Sequence, residues 1–180
     1  MLRRTRVMVV AAAVAMAGLT PVVATTASAA PAPYCGITWG SLAKSHSPTT
    51  SPQLTNIRAG RHDCYDRLVF DVRGNVTGYT VKYVNTMTED PSGRVVPLRG
   101  GAKLSIAIQA PAYDTAGRPT YRYANRAELV NVAGYRTFRQ VALAGSFEGV
   151  TTVGLGVRAR LPFRVFTLPN RIVVDVAHAW

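Results

Sequence analysis

On an extended chain successive side chains alternate, so Arg158 and Arg160, with Ala159 and Leu161 interleaved, turn two guanidinium groups to one face near Arg164. The planar guanidinium fork matches carboxylates and phosphates, which gives this stripe the chemistry of an anion site. A second group lies in the stretch APAYDTAGRPTYRYANR at residues 110–126, where Tyr113, Tyr121 and Tyr123 alternate with Arg118, Arg122 and Arg126. Rings and guanidinium groups together stack on sugars and clasp carboxylates. Each group also has a plain structural counterpart: a solvated sheet face that discourages edge pairing, and rings that cover the end of a core.

Catalytic combinations are thin by comparison. His62 and Asp63 are adjacent, and on a strand they point to opposite faces; no Gly-x-Ser-x-Gly elbow supplies a serine. His178 reads as a surface or sheet-edge residue near the chain end. Glu148 and Asp114 make an acid pair only if folding brings them to the right separation, and Glu148 fits better in a turn with Gly149 supplying the bend. Gly154-Leu155-Gly156 lacks the third glycine and following helix of a phosphate loop, so it reads as a close-packed strand. No catalytic residue and no cofactor is expected. His46, His62 and His178 with two cysteines never fall into paired ligand spacing, so no metal site is expected either.

The first thirty residues set the compartment. Arg3, Arg4 and Arg6 precede an uncharged run from Val7 to Leu19, and Ala27-Ser28-Ala29 offers a small-x-small cleavage pattern. A bilayer crossing needs roughly 20 apolar residues, more than this run holds, so residues 1–30 read as a cleaved signal peptide rather than a permanent span. Export lets thiols persist as a bridge, and Cys35 and Cys64 are the only two cysteines, so a disulfide is predicted between them. Lipidation of Cys35 is the competing reading; Ala32-Pro33-Tyr34 before it lacks the small apolar run such a site needs. Removing Arg3, Arg4 and Arg6, which no acid accompanies, takes the formal charge from +12 to +9. A strongly basic exported chain accumulates on anionic wall polymers or membrane surface, although an arginine excess also serves solubility alone. Nucleic acid is a poor partner outside the cell.

The elements that must position these groups are strands. Residues 41–53, SLAKSHSPTTSPQ, are polar and unperiodic, so 31–53 is predicted to be an arm and linker that the disulfide ties to a domain at 54–180. From Leu54 onward, short stretches rich in valine, isoleucine and aromatics alternate with glycine, proline or asparagine. Strands are predicted at 67–72, 79–84, 103–109, 129–133, 138–143, 151–157, 163–168 and 171–176, with 110–126 as a long loop. RLVFDV at 67–72 and RIVVDV at 171–176 share one pattern, which places an arginine and an aspartate on one face of each strand. Little of the chain suits a crossover helix, so the fold class is all-β, a mainly antiparallel two-sheet sandwich.

These strands resemble the AMIN-like domain of secreted actinobacterial proteins. The resemblance rests on NIRAGRHD at 56–63 with DRLVFDV at 66–72, and at the other end on FRQV at 138–141, GSFEGVTTVGLGV at 145–157, PFRVF at 162–166 and RIVVDV at 171–176. A more distant likeness links it to the AMIN β-sandwich that localises periplasmic amidases and secretins on peptidoglycan. The resemblance implies a secreted, non-catalytic module that binds peptidoglycan or anionic wall polymer. An exported protein-interaction domain, an inhibitor or adaptor working through a sheet edge or the tyrosine loop, is the alternative. The residues expected to carry binding are Arg158, Arg160, Arg164, Tyr113, Tyr121, Arg122, Tyr123 and Arg126.

Overall fold

The computed structural model describes residues 33–47, 50–75 and 78–180; the signal-peptide reading of residues 1–30 lies outside them. Among the described residues, nine strands follow a 3-10 turn at Tyr34–Gly36: β1 Lys44–His46, β2 Gln53–Arg61, β3 Tyr65–Arg73, β4 Tyr79–Val84, β5 Ala102–Ile108, β6 Phe138–Phe147, β7 Val150–Val157, β8 Phe163–Leu168 and β9 Arg171–Ala177. They form a four-stranded sheet in the order β2-β3-β9-β8 and a five-stranded sheet in the order β1-β4-β5-β7-β6, every pairing antiparallel. This is the expected all-β sandwich.

Period-two alternation builds the core. Leu68, Phe70 and Val72 of β3 and Ile172, Val174 and Val176 of β9 face Leu104, Ile106 and Ile108 of β5 and Val153, Leu155 and Val157 of β7, all of them buried. A bulge between Leu54 and Asn56 flips the parity of β2, so that Leu54 and Ile57 both point inward. The β6–β7 hairpin turns on Glu148 (φ 47°) and Gly149 (φ 81°), as the Glu-Gly pair suggests.

Two long segments close the sandwich. Residues 85–101 cross the outer face of the five-stranded sheet, and they approach so closely that a Cβ on Gly154 would lie 2.7 Å from Leu98 Cδ1 and one on Gly156 would collide with the Arg99 carbonyl oxygen. The Gly154-Leu155-Gly156 run is thus a close-packed strand. Residues 109–137 fill the side between β2 and β6: Tyr121 and Val132 enter the core, Leu54 N donates to Pro111 O (2.9 Å), and Leu143 N donates to Arg126 O (2.9 Å). Residues 110–126 are the long loop that was expected. Residues 129–133, expected as a strand, belong to this loop too. There the Asn131 side chain accepts from Ala133 N (2.9 Å), a local turn bond that competes with a ladder, while Leu129 N makes one bond to Val141 O.

Cys35 and Cys64 form the predicted disulfide. Within the expected arm, Lys44–His46 pairs with β4, and Lys44 Nζ sits 4.1 Å from the centre of the Phe163 ring.

Candidate ligand-binding site

The outer face of the four-stranded sheet is built from the repeated pattern. β3 and β9 are neighbours running antiparallel, so RLVFDV lies against RIVVDV with Arg67 opposite Asp175, Val69 opposite Val173, and Asp71 opposite Arg171. The pattern is its own complement under strand reversal. Asp175 is fully buried although it lies on an outer face, because two arginines cover it. Arg67 donates through Nε (2.7 Å) and Nη2 (2.9 Å), and Arg164 of β8 donates through Nε (2.8 Å). Asp71 receives Arg58 of β2 in the same bidentate manner (2.8 and 3.0 Å), with Arg171 at 3.4 Å.

Aromatic rings frame the first of these clusters. The Arg164 guanidinium lies 5.5 Å from the ring of Trp39, 5.3 Å from Tyr65 and 4.9 Å from Phe166, and Arg67 lies 5.2 Å from Tyr65 and 5.4 Å from Phe166. Trp39 lies on this face between the Cys35–Cys64 disulfide and the bridge from Gly40 to Phe163 of β8. Its indole donates to Tyr34 O (2.9 Å), and its ring packs 5.9 Å from Tyr65. The result is a platform of interleaved guanidinium planes and rings over a buried carboxylate.

The three arginines of the expected stripe go to different places. The chain leaves β7 at Val157 and bends through residues 158–160, so strand alternation does not apply there. Arg158 Nη2 donates to His178 O, Arg160 lies 4.7 Å from the Tyr83 ring, and Arg164 joins the platform. Beneath Arg160, burial pushes the Tyr83 phenol up to about 12, and its hydroxyl donates to Leu161 O (2.6 Å).

The tyrosine loop, by contrast, gathers. Tyr113, Tyr121, Tyr123 and Arg126 line one cavity of about 370 Å³ with Pro119 and Leu143. Tyr121 is 5% exposed, and burial raises its phenol above the ordinary range; Tyr123 packs 5.9 Å away and is exposed. Arg126 donates to Leu143 O and Ala144 O and pairs with Glu89 at 2.7 Å, so it is a fixed wall rather than a free cation. Arg122 is exposed outside the cavity. Asp114 is held below the usual carboxylate range by the Arg118 backbone N–H, with the Arg118 side chain adding to it, which makes it the cap of its own turn.

A family model described as the AMIN-like domain matches residues 52–178. The chain belongs to the AMIN-like family. AMIN-like domains are generally non-catalytic modules of the cell envelope. No curated protein and no solved structure matches the chain. Within the AMIN-like domain lie Tyr65, Arg67, Arg164, Phe166 and Asp175, whereas Trp39 and Cys35 lie ahead of the matched region. The platform is therefore shared between the domain and the arm.

One polar group of the AMIN-like domain departs from the sequence reading. His178, expected at the surface, is buried. Its Nδ1 lies 2.9 Å from Thr137 Oγ1 and its Nε2 3.0 Å from His62 O, and Asp66 below accepts from Thr137 N (2.6 Å) and Phe138 N (3.0 Å). Thr137 is fully buried, so this acid, histidine and hydroxyl stitch β3, β6 and the end of β9 together and offer no nucleophile to solvent. Among the described residues no group of His, Cys, Asp and Glu is placed to hold a metal ion, and no helix is long and apolar enough to cross a membrane.

Sequence reasoning passed over Trp39, Tyr65 and Phe166, because an isolated ring carries no signal until a sheet brings an arginine beside it. The reversed complementarity of RLVFDV and RIVVDV is the signal that points to the platform.

Proposed function

We propose that this chain is exported and binds peptidoglycan or its associated anionic polymers through the outer face of the four-stranded sheet. One observation carries the reading: four arginines, Arg58, Arg67, Arg164 and Arg171, share two aspartates on that face, and rings rigidify the central pair. Each guanidinium spends part of its donor fork on an aspartate and keeps further N–H groups for a ligand anion. The excess of +9 on the mature chain supplies longer-range attraction to a polyanion. The tyrosines of the 110–126 loop supply a stacking surface for sugar.

The test is sedimentation of the mature protein with purified cell wall, with and without its anionic polymers stripped, across a salt series. Retention that falls with stripping and with salt, and falls several-fold in the Arg58→Ala/Arg171→Ala variant, is the expected result; that variant leaves the Arg67–Asp175–Arg164 cluster intact. Failure to sediment with either wall preparation at low salt overturns the reading.

The alternative, an exported protein-interaction domain, draws on the cavity that Tyr113, Tyr121 and Tyr123 line. Binding through it would persist at high salt and fall in Tyr123→Ala.

A further inference from the structure

On the opposite side of the sandwich, the outer face of the five-stranded sheet carries a cleft of about 320 Å³. Its floor is β5, where the inward Leu104, Ile106 and Ile108 leave the small Ser105 and Ala107 facing out. One wall is β4, with Thr80 opposite Ala107 and Lys82 opposite Ser105. The other wall is Thr152 of β7, also opposite Ala107, together with residues 86–90.

That second wall is held in place on three sides. Met87 is buried beneath it, and Asp90 accepts a hydrogen bond from Thr152 Oγ1 (3.2 Å). Gly145 lacks the Cβ that would come 2.9 Å from the Asp90 carbonyl oxygen. Behind it, Glu89 is clamped by Arg94 and Arg126, each at 2.7 Å.

Two features point to a ligand. The side chains of Thr80, Lys82, Thr86 and Ser105 line the cleft, yet among the described residues they make no hydrogen bond or ion pair. The charges are also opposed: the Lys82 ammonium stands on β4, and the Asp90 carboxylate is held against β7, with β5 between them. Lys82 and Thr152 stand two strand spacings apart and two residues offset along the strands, a diagonal of roughly 12 Å, and an extended chain advances about 3.3 to 3.6 Å per residue, so roughly three to four residues bridge the gap.

We infer that this cleft binds a short extended peptide of about three small residues with both termini free, its ammonium at Asp90 and its carboxylate at Lys82. The hydroxyls of Thr80, Thr86 and Ser105 serve the peptide amides, and the Ser105–Ala107 floor admits methyl side chains and excludes large ones. The inference does not depend on the arginine platform, which lies on the other sheet and takes anions.

The test is calorimetric titration of the mature protein with trialanine, N-acetyltrialanine and trialanine amide, with the site mapped by NMR shifts. Trialanine binds, and each blocked peptide binds about tenfold more weakly. In Lys82→Met, trialanine and its amide bind equally, because the carboxylate has lost its partner. Ser105→Val, which fills the floor on a strand that favours valine, abolishes binding in a folded protein. Equal binding of the three peptides, no binding at millimolar concentration, or shifts that map away from Thr80, Ser105 and Thr152 overturns the inference. Polyglutamate serves as the control for the other sheet: it leaves trialanine bound, so failure of the platform reading and failure of this one are separable.

Discussion

Arg67 and Asp175 meet across the β3–β9 ladder with two parallel N–H···O contacts of 2.7 and 2.9 Å, and the carboxylate has no solvent exposure at all. Asp71 and Arg171 repeat the pairing in reverse a few residues along the same ladder, where the carboxylate is about a quarter exposed (24%). The same residue types therefore sit at two depths, and the difference has consequences that can be measured.

Asp175→Asn leaves Arg67 and Arg164 facing each other without a counter-charge, so it costs about 3 kcal/mol or more, the range for breaking a buried ion pair. Asp71→Asn, on the exposed cluster, costs about 1 kcal/mol or less. Urea denaturation of the two variants compares them directly; equal losses contradict the difference in burial.

The disulfide spans 29 residues of sequence. Loop-closure entropy assigns such a link roughly 3 to 4 kcal/mol. In Cys35→Ser/Cys64→Ser the arm is freed, Trp39 leaves Arg164 and Tyr65, and limited proteolysis begins within residues 33–50. Tryptophan emission shifts to the red before the global unfolding transition. Unchanged emission and unchanged cleavage sites would mean that β1 alone holds the arm.

Gly156→Ala drives a methyl group into the Arg99 carbonyl and costs about 2 to 3 kcal/mol as overpacking. Gly117→Ala meets no atom within 4 Å and carries only the strain of φ 75°, about 1 kcal/mol. Thermal melts of the pair separate steric contact from backbone strain.

Tyr83 ties stability to alkaline pH. Its phenol titrates near 12 in the fold against an ordinary value of 10.0, because burial disfavours the phenolate. The unfolded chain therefore releases its proton first. Stability from this group is whole below pH 10 and is lost as pH rises toward 12. Denaturation midpoints between pH 9 and 12 should fall more steeply in the wild type than in Tyr83→Phe, which has no proton to release; parallel curves would assign the fall to other groups.

Several of these features were legible before the fold was known. Short runs of aliphatic and aromatic residues between glycine, proline and asparagine joints placed β3, β5, β7, β8 and β9 to within a residue or two, since those side chains suit a pleated, buried surface. The Glu148-Gly149 turn and the close packing at Gly154 and Gly156 followed from local chemistry. Residues 129–133 misled because LVNVA is rich in the aliphatic residues that strands favour, while the Asn131 side chain turns the backbone locally. Arg158 and Arg160 misled because alternation holds only inside a strand, and β7 ends one residue earlier.

Local pattern and composition thus determined what depends on neighbours in the chain: the all-β class, the position of most strands, the single possible cysteine pairing and the basic balance. Tertiary structure alone decided what depends on strands far apart in sequence. It placed RLVFDV against RIVVDV so that each arginine meets an aspartate, brought Trp39 to Arg164, buried His178, and set Lys82 and Asp90 on opposite sides of β5. Those relationships require a sheet order and a register, and these are set by the joint burial of both inner faces, which no single segment encodes.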